Sequence, residues 1–375
     1  MIYLDNSATT FPKPEEVYKA LDYANRNLAF NSGRGAYKAS SDATNIINQA
    51  REEIASFVKA SIGEVAFLSS ATECLNLIID GLPLESGDAV YISPFEHNAI
   101  VRPLYEIKKE KGIEIVLVPF DKKTWEPDFA KLKGMMALKR PKAVFVSQVS
   151  NVTGLMINYQ PIFEIAKQYG AITILDSAQA FGILNPDCRS VDFCIFAGHK
   201  SLYASFGVAG IIGKNFGILK VVKSGGNGSD SLNHSMPASG YSHIESGSPN
   251  VVAIYGLLTS AKWVKKQNIF AKESEITQYA ITELTRCDKI KLYIPEETGH
   301  ILGILSLNVD GYRPEEVGTI LSDEFDICVR TGFHCSPFVH DFIGSEQYGG
   351  TVRVSFGAFN TKDDVDALVC ALKTL

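Results

Sequence analysis

Phe193-Cys194-Ile195-Phe196-Ala197-Gly198-His199-Lys200 carries an apolar strand straight into a small-residue turn, a histidine and a lysine. Five uncharged residues closed by Gly198 read as a strand buried on both faces, the kind that a parallel sheet provides. A lysine delivered to the end of such a strand stands where open α/β sheets collect ligands, and its amine can form a Schiff base with a carbonyl compound. Upstream, Ile172-Thr173-Ile174-Leu175-Asp176-Ser177-Ala178-Gln179 is a second strand, rich in β-branched residues, that ends in a carboxylate.

Working outward, short apolar runs at 64–68, 89–93, 113–119, 143–149, 172–176, 193–197 and 207–212 alternate with helical patterns. Such alternation predicts βαβ units and an α/β fold with a mostly parallel central sheet. Two amphipathic helices precede them, over 15–28 and 40–59. The run Ser224-Gly225-Gly226-Asn227-Gly228-Ser229 opens a segment through Gly247 with few periodic apolar positions, which reads as a long loop. A helical stretch over 251–286 follows, then strands at 303–309, 327–330 and 351–355 and helices at 314–323 and 361–374, a smaller α+β unit. At 375 residues the chain exceeds what one hydrophobic core normally serves. We therefore expect a large domain over 15–255 and a small one made of 1–14 and 256–375.

Composition narrows the function classes. Hydrophobic residues make up 46% and charged residues 21%, ordinary values for a compact globule. A formal charge of −6 argues against a nucleic-acid binder, which needs clustered cations to neutralise phosphates. Seven scattered cysteines without a CxxC pair suggest neither a disulfide framework nor a metal site, and fit a reducing compartment. No apolar run approaches the roughly 20 residues of a membrane span and no secretory leader is evident, so a soluble, cytoplasmic protein is the expectation.

Several strand ends carry chemistry. Ser69-Ser70-Ala71-Thr72-Glu73 opens a helix whose free N–H groups and dipole would hold a phosphate, with the Thr72 hydroxyl adding a donor; an ordinary N-cap has the same appearance. Glu96-His97-Asn98 follows one strand and Asn151 another. A histidine there can stack on a planar cofactor or move protons, or simply be a hydrogen-bonded loop residue. Singly, each has a bland reading. Together with a lysine and an aspartate facing one another, they are what pyridoxal phosphate (PLP) requires, an amine for its aldehyde and a carboxylate for its ring nitrogen.

In the smaller unit Arg330-Thr331-Gly332-Phe333-His334-Cys335 follows a strand, and Arg353 lies in the next one. Two arginines on neighbouring strands suit a carboxylate bound through paired hydrogen bonds. Cys335 differs from the other six cysteines because its neighbours are Gly, His, Ser and Pro, and positive charge nearby favours a nucleophilic thiol.

With these residues assembled, the chain closely resembles the cysteine desulfurase and selenocysteine lyase branch of class V PLP enzymes, which have the aspartate aminotransferase fold. The resemblance runs nearly end to end, through Tyr3-Leu4-Asp5-Asn6-Ser7-Ala8-Thr9-Thr10, Ala71-Thr72-Glu73, Glu96-His97, Ser150-Asn151-Val152, Asp176-Ser177-Ala178-Gln179, Gly198-His199-Lys200, Gly247-Ser248-Pro249-Asn250, Arg330-Thr331-Gly332 with Cys335, and Arg353. It implies that Lys200 holds PLP, Asp176 meets the pyridine nitrogen, and His97 stacks on the ring. Asn151 and Gln179 would contact the ring hydroxyl. Ala71, Thr72 and His199 would bind the phosphate, and Ser248 would reach it from a second subunit, which implies a homodimer. Arg353, with Arg330, would hold the substrate carboxylate, and Asn31 in the Asn31-Ser32-Gly33-Arg34-Gly35 loop would line the entrance.

The implied activity is conversion of L-cysteine to L-alanine, with sulfur passing to a persulfide on Cys335 and then to an acceptor protein or thiol. Lys200 and His97 are the implied proton carriers. Selenocysteine lyase, another aminotransferase-type activity and a non-catalytic scaffold are the alternatives. Two positions depart from the usual pattern: Ala197 stands where a phosphate-binding serine is common, and Ser248 replaces a threonine. The short loop after Cys335, Ser336-Pro337, implies an acceptor that docks at the thiol.

Overall fold

The computed structural model describes residues 1–33, 35–58, 64–226 and 232–375. Arg34, Lys59 and Asn227 to Ser229, which the sequence reading used, lie outside the described residues. After β1 (Ile2–Tyr3) come α1 (Glu15–Asn27) and α2 (Lys38–Ala55), close to their expected places.

The strands β2 (Glu64–Leu68), β3 (Ala89–Ile92), β4 (Glu114–Leu117), β5 (Pro141–Ser147), β6 (Ile172–Asp176), β7 (Phe193–Ala197) and β8 (Ala209–Gly213) form one sheet in the order β2-β8-β7-β6-β5-β3-β4. From β7 to β4 all neighbours are parallel, and β8 runs against both β7 and β2. The mostly parallel α/β reading therefore holds. Between the strands lie α3 (Ala71–Gly81), α4 (Asn98–Lys111), α5 (Phe129–Leu138) and α6 (Tyr159–Lys167), and α7 (Val251–Lys266) follows the long loop.

The period of two along each strand feeds two cores. Ile174, Phe193, Ile195 and Ile211 pack on one face with Leu75 and Ile78 of α3 and Ile100 and Leu104 of α4. Leu175, Cys194, Phe196 and Ile212 pack on the other with Ile54 of α2, Ile162 of α6 and Leu257 of α7. Each such buried aliphatic or phenylalanine side chain contributes about 1.5–3 kcal/mol. Burial on both faces is why these strands read as continuous apolar runs.

The rest comprises α8 (Ile269–Leu284), β9 (Ile290–Tyr293), β10 (Ile304–Val309), α9 (Pro314–Phe325), β11 (Ile327–Cys328), β12 (Arg330–Gly332), α10 (Pro337–Ile343), β13 (Thr351–Ser355) and α11 (Lys362–Lys373). An antiparallel sheet has the order β12-β13-β10-β9, while β11 pairs in parallel with β1. The single strand expected over 327–330 thus changes partners at Val329, and the helical stretch over 251–286 breaks at Gln267 and Asn268. Helix α7 runs unbroken through residue 256 and packs against α1 and α2.

This topology gathers the carboxyl ends of β3, β5, β6 and β7 along one edge, where the smaller sheet's β12–α10 segment meets them. The N-terminal segment crosses between the two sheets: Asn6 Nδ2 donates to Ser355 O at 3.0 Å, and Thr10 N donates to His199 O at 3.1 Å.

Candidate active site

Strand ends are fixed by their helix caps. The Ser70 hydroxyl accepts the Glu73 N–H at 3.2 Å, and Glu73 reaches back to the Ser69 N–H at 2.9 Å, so α3 starts squarely after β2. This leaves the first-turn N–H groups of Ala71 and Thr72 without intrahelical partners. His97 caps α4 by accepting the Ala99 N–H on Nδ1 at 3.0 Å, which leaves the ring proton on Nε2. Beneath it, the buried Glu96 carboxylate takes the Ser93 hydroxyl at 2.5 Å, the Ser147 N–H at 2.8 Å and the Ser147 hydroxyl at 2.7 Å, locking β3 to β5. Burial holds the Glu96 carboxyl up at about 7, against those hydrogen bonds.

A cavity of about 90 Å³ opens at this edge. Ala71, Thr72 and His199 line one part of it; His97, Asn151 and Gln179 another; Asp176 and Lys200 complete it, and Ala197 forms part of its wall. Eight residues that the sequence singled out thus converge from five strand ends. Asp176 is buried and accepts the Ala178 N–H at 2.9 Å; burial raises its carboxyl, opposed by that bond and by Lys200. Burial lowers the Lys200 amine to about 8, with Asp176 acting the other way and Arg353 and Arg330 adding to the fall. Among the described residues its Nζ makes no hydrogen bond or ion pair, so an amine that gives up its proton near pH 8 rather than 10.5 faces the cavity.

Two histidines are held neutral. His97 is lowered to about 3 by burial, then by Lys200, Arg353, Arg330 and Arg102. His199 is lowered to about 3 by burial, Lys200 and Lys13; its ring stacks on Phe206 with centroids 4.5 Å apart, and its buried Nδ1 has no hydrogen-bond partner among the described residues.

Cys335 arrives from the other sheet. Its carbonyl accepts the Asn98 N–H at 2.7 Å, immediately after His97, and its side chain is within electrostatic reach of Lys200 and Arg353. The residue is exposed and has φ +59°. Arg353 is buried in β13, with Nη1 on the Asn151 carbonyl at 2.9 Å and Nη2 on Asp5 at 2.7 Å. Arg330 lies opposite it in register and is exposed. Both arginines act on Lys200 electrostatically without lining the cavity.

Two predicted residues stay apart. Asn31 is exposed and does not line the cavity. Ser248 lies on the rim of a separate cavity of about 350 Å³ with Glu73, Lys223 and Asn250. Among the described residues no cluster of His, Cys, Asp and Glu could hold a metal ion, and no helix is long and apolar enough to cross a membrane.

Sequence reasoning missed the side chains that support the site. Lys13 donates to the His199 carbonyl at 2.8 Å and to the Thr10 hydroxyl at 2.7 Å, which buttresses the peptide before Lys200. Its signal was a lysine between two prolines, Pro12 and Pro14. Asp5 was visible only as part of the opening motif, and Ser336 only as the residue after Cys335.

A sheet of this order, a lysine and an aspartate at adjacent strand ends, and a helix N-terminus across from them define a PLP-type transferase fold. Residues 2–368 match the model of the family "Aminotransferase class-V", and the chain belongs to that family. It is 30% identical to a probable cysteine desulfurase of Vibrio cholerae, over 99% of this chain and 93% of that one. A cysteine desulfurase of Serratia proteamaculans is also 30% identical, over 100% and 93%. Among solved structures, the apo cysteine desulfurase of Thermococcus onnurineus superposes with a TM-score of 0.91 at 26% identity, covering 100% of this chain and 94% of that one. The cysteine desulfurase CsdA of Escherichia coli gives 0.84 at 25% identity, over 99% and 94%.

Proposed function

We propose that this protein is a PLP-dependent cysteine desulfurase, converting L-cysteine to L-alanine and storing the sulfur as a persulfide on Cys335. The observation that carries the reading is that Cys335 of the small sheet, tied by its carbonyl to the residue after His97, stands within electrostatic reach of Lys200 from the large one. The relatives' names point the same way.

The cavity suits the cofactor on its own chemistry. The partnerless buried Nδ1 of His199 and the open first turn of α3 form a polar cradle for a dianionic phosphate. Asp176 supplies the carboxylate for a protonated ring nitrogen, His97 a flat neutral ring, and Asn151 and Gln179 amides for the ring hydroxyl. Ala197 offers no hydroxyl to the phosphate. Ser248, exposed and away from this cavity, would serve the phosphate of a second copy, so we propose a homodimer with composite sites. We also propose the division into a large domain, 15–255, and a small one, 1–14 with 256–375, and a cytoplasmic location.

When bound, PLP supplies the electron sink that acidifies the substrate's α-carbon and accepts the electrons of its carbon–sulfur bond. The protein does the rest. Lys200, whose amine gives up its proton near pH 8, would be the base that carries the proton between the α-carbon and the product. His97 keeps Nε2–H as a neutral donor, so proton transfer falls to Lys200. Arg353 and Arg330 attract the substrate carboxylate. Cys335 attacks the substrate sulfur: an S–S bond forms as the C–S bond breaks. The sulfur gives up two electrons, and the carbon that bore it gains them with a proton. One protein thiol and one L-cysteine thus become a persulfide and L-alanine with no outside oxidant, and a thiol acceptor or docked protein then clears the sulfur.

The test is a paired assay of sulfide and alanine with L-cysteine and L-selenocysteine on wild type and Cys335→Ala, alongside borohydride trapping and peptide mapping. Label on Lys200 and loss of cysteine turnover in the variant are expected. Undiminished sulfur release by Cys335→Ala would sink the persulfide step, and selenium release alone would favour selenocysteine lyase.

A further inference from the structure

His334 and Cys335 have φ of +48° and +59°, two successive left-handed residues without a glycine. L-residues adopt this conformation only where surrounding bonds over-determine it, and such outliers cluster at functional sites. Here the bonds are visible. The Phe333 carbonyl contacts His340 Nε2 at 3.0 Å, the His334 carbonyl accepts Asn151 Nδ2–H at 2.8 Å, and the Cys335 carbonyl accepts the Asn98 N–H at 2.7 Å. The circuit closes through Ser336, whose buried hydroxyl donates to Asn151 Oδ1 at 2.6 Å. One amide, that of Asn151, thus lines the Lys200 cavity and holds both ends of the Cys335 turn.

Resting on the desulfurase reading above, we propose that Ser336 is a positioning residue for the sulfur-transfer step: through Asn151 it fixes the His334–Cys335 backbone, so the thiol stands on a rigid pedestal. Thiolate attack on the substrate sulfur requires the two sulfurs in line along the breaking bond, and a misplacement of about 1 Å can cost about a hundredfold in rate. Ser336 does not line the Lys200 cavity, and without its hydroxyl Asn151 keeps its own bond to the His334 carbonyl and its backbone bond to Arg353. Its loss is therefore expected to slow the step more than it weakens occupancy.

The experiment uses the PLP-loaded enzyme. Ser336→Ala is mixed with L-cysteine in a single turnover, and the persulfide on Cys335 is followed by mass spectrometry, with the absorbance change on substrate binding recorded in parallel. We expect persulfide formation to fall roughly ten- to a hundredfold. The absorbance titration and KM should stay within about twofold, and Ser336→Thr, which keeps the hydroxyl, should restore most of the rate. Global damage is read separately by alkylation: exposed Cys370 should react as in wild type while buried Cys74 and Cys194 stay protected. If the alanine variant does not fold, Ser336→Cys, a weak donor of similar size, asks the same question. A wild-type persulfide rate in a variant that has lost the donor overturns the proposal. Failure of the desulfurase reading looks different, because then the wild type itself forms no persulfide on Cys335, and the proposal falls with it.

Discussion

Arg353 Nη2 lies 2.7 Å from Asp5 Oδ1, an ion pair between the last strand of the small sheet and the N-terminal segment. The guanidinium is buried, and its other terminal nitrogen is on the Asn151 carbonyl. An arginine offers five N–H donors, so two are committed to the protein and three remain. If Arg353 receives the substrate carboxylate, as proposed above, Asp5 sets the plane in which that carboxylate must arrive. Removing one partner of a buried pair leaves an uncompensated charge, at a cost of about 3–5 kcal/mol. Because Asp5 is 19% exposed, the lower end applies. We expect Asp5→Asn to lose about 3 kcal/mol in denaturant unfolding and to raise KM for L-cysteine more than it lowers kcat. Unchanged stability and KM would mean that Arg353 is oriented by β13 alone.

Glu273 gives the protein a pH dependence unlike that of its surface carboxylates. Burial pushes this α8 carboxyl up to about 8, opposed by its hydrogen bond with Tyr203, whose N–H donates to the Lys200 carbonyl at 2.8 Å. The folded protein keeps a proton that the unfolded chain releases above about 4.5. Stability therefore falls as pH rises from about 4.5 to about 8, by up to about 1.4 kcal/mol per pH unit, and this contribution is level outside that window. Glu273→Gln should remove it. Urea midpoints for wild type and variant at pH 6, 7 and 8 should diverge steadily, with the wild type losing ground; parallel curves would show that Glu273 does not titrate there.

How much of this was legible in the sequence depends on how far apart the cooperating residues lie. The strands β2 to β8 were readable within about two residues, the inner ones because burial on both faces forces apolar runs and the edge strand β4, exposed or half-buried, from its β-branched Ile115-Val116 pair; the inner strand ends exposed their polar residues in plain order. That is why Asp176, Lys200, His97, Asn151 and Thr72 were found. β1 was not: it has two residues, and its partner β11 is more than 300 positions away. α10 was missed because it is only seven residues long, although Pro337 directly after Ser336 is a helix-start signal. Asp5, Lys13 and Ser336 act across the seam between the sheets, and no local pattern announces a partner on another sheet. The reverse holds for His97. The sequence suggested a proton carrier with an ordinary histidine pKa, whereas burial and four cations around it keep the ring neutral.

Lys200 should take up the cofactor with a rate that reports its own ionisation. Only the neutral amine attacks an aldehyde, and burial lowers this amine from 10.5 to about 8. Stopped-flow absorbance of the cofactor-free protein mixed with PLP should show a rate that climbs through about pH 8 and levels above it. Asp176→Asn removes the group that favours the charged amine, so its midpoint should move lower. A midpoint near 10 in the wild type would show that the amine is solvated.

Gly154 and Gly170 share a left-handed backbone, at φ +70° and +74°, and their neighbourhoods predict different fates for the same substitution. A Cβ on Gly170 would meet nothing within 4 Å, so Gly170→Ala should cost only the intrinsic left-handed penalty of about 1–2 kcal/mol. A Cβ on Gly154 would stand 2.4 Å from the Ile304 carbonyl oxygen and 2.8 Å from that of Leu302. Both are backbone atoms at the start of β10, an inner strand of the small sheet, held by the Leu302 N–H donating to the Gly154 carbonyl at 2.9 Å, and neither can swing aside as a side chain can. The turn 150–155 would have to move instead, and with it Asn151, which holds the Cys335 turn and lines the Lys200 cavity. Gly154→Ala should therefore cost clearly more than Gly170→Ala in urea unfolding, and should also weaken PLP retention on dilution, which Gly170→Ala should leave alone. Equal costs in the two variants would mean that the seam between the sheets yields more readily than its backbone contacts imply.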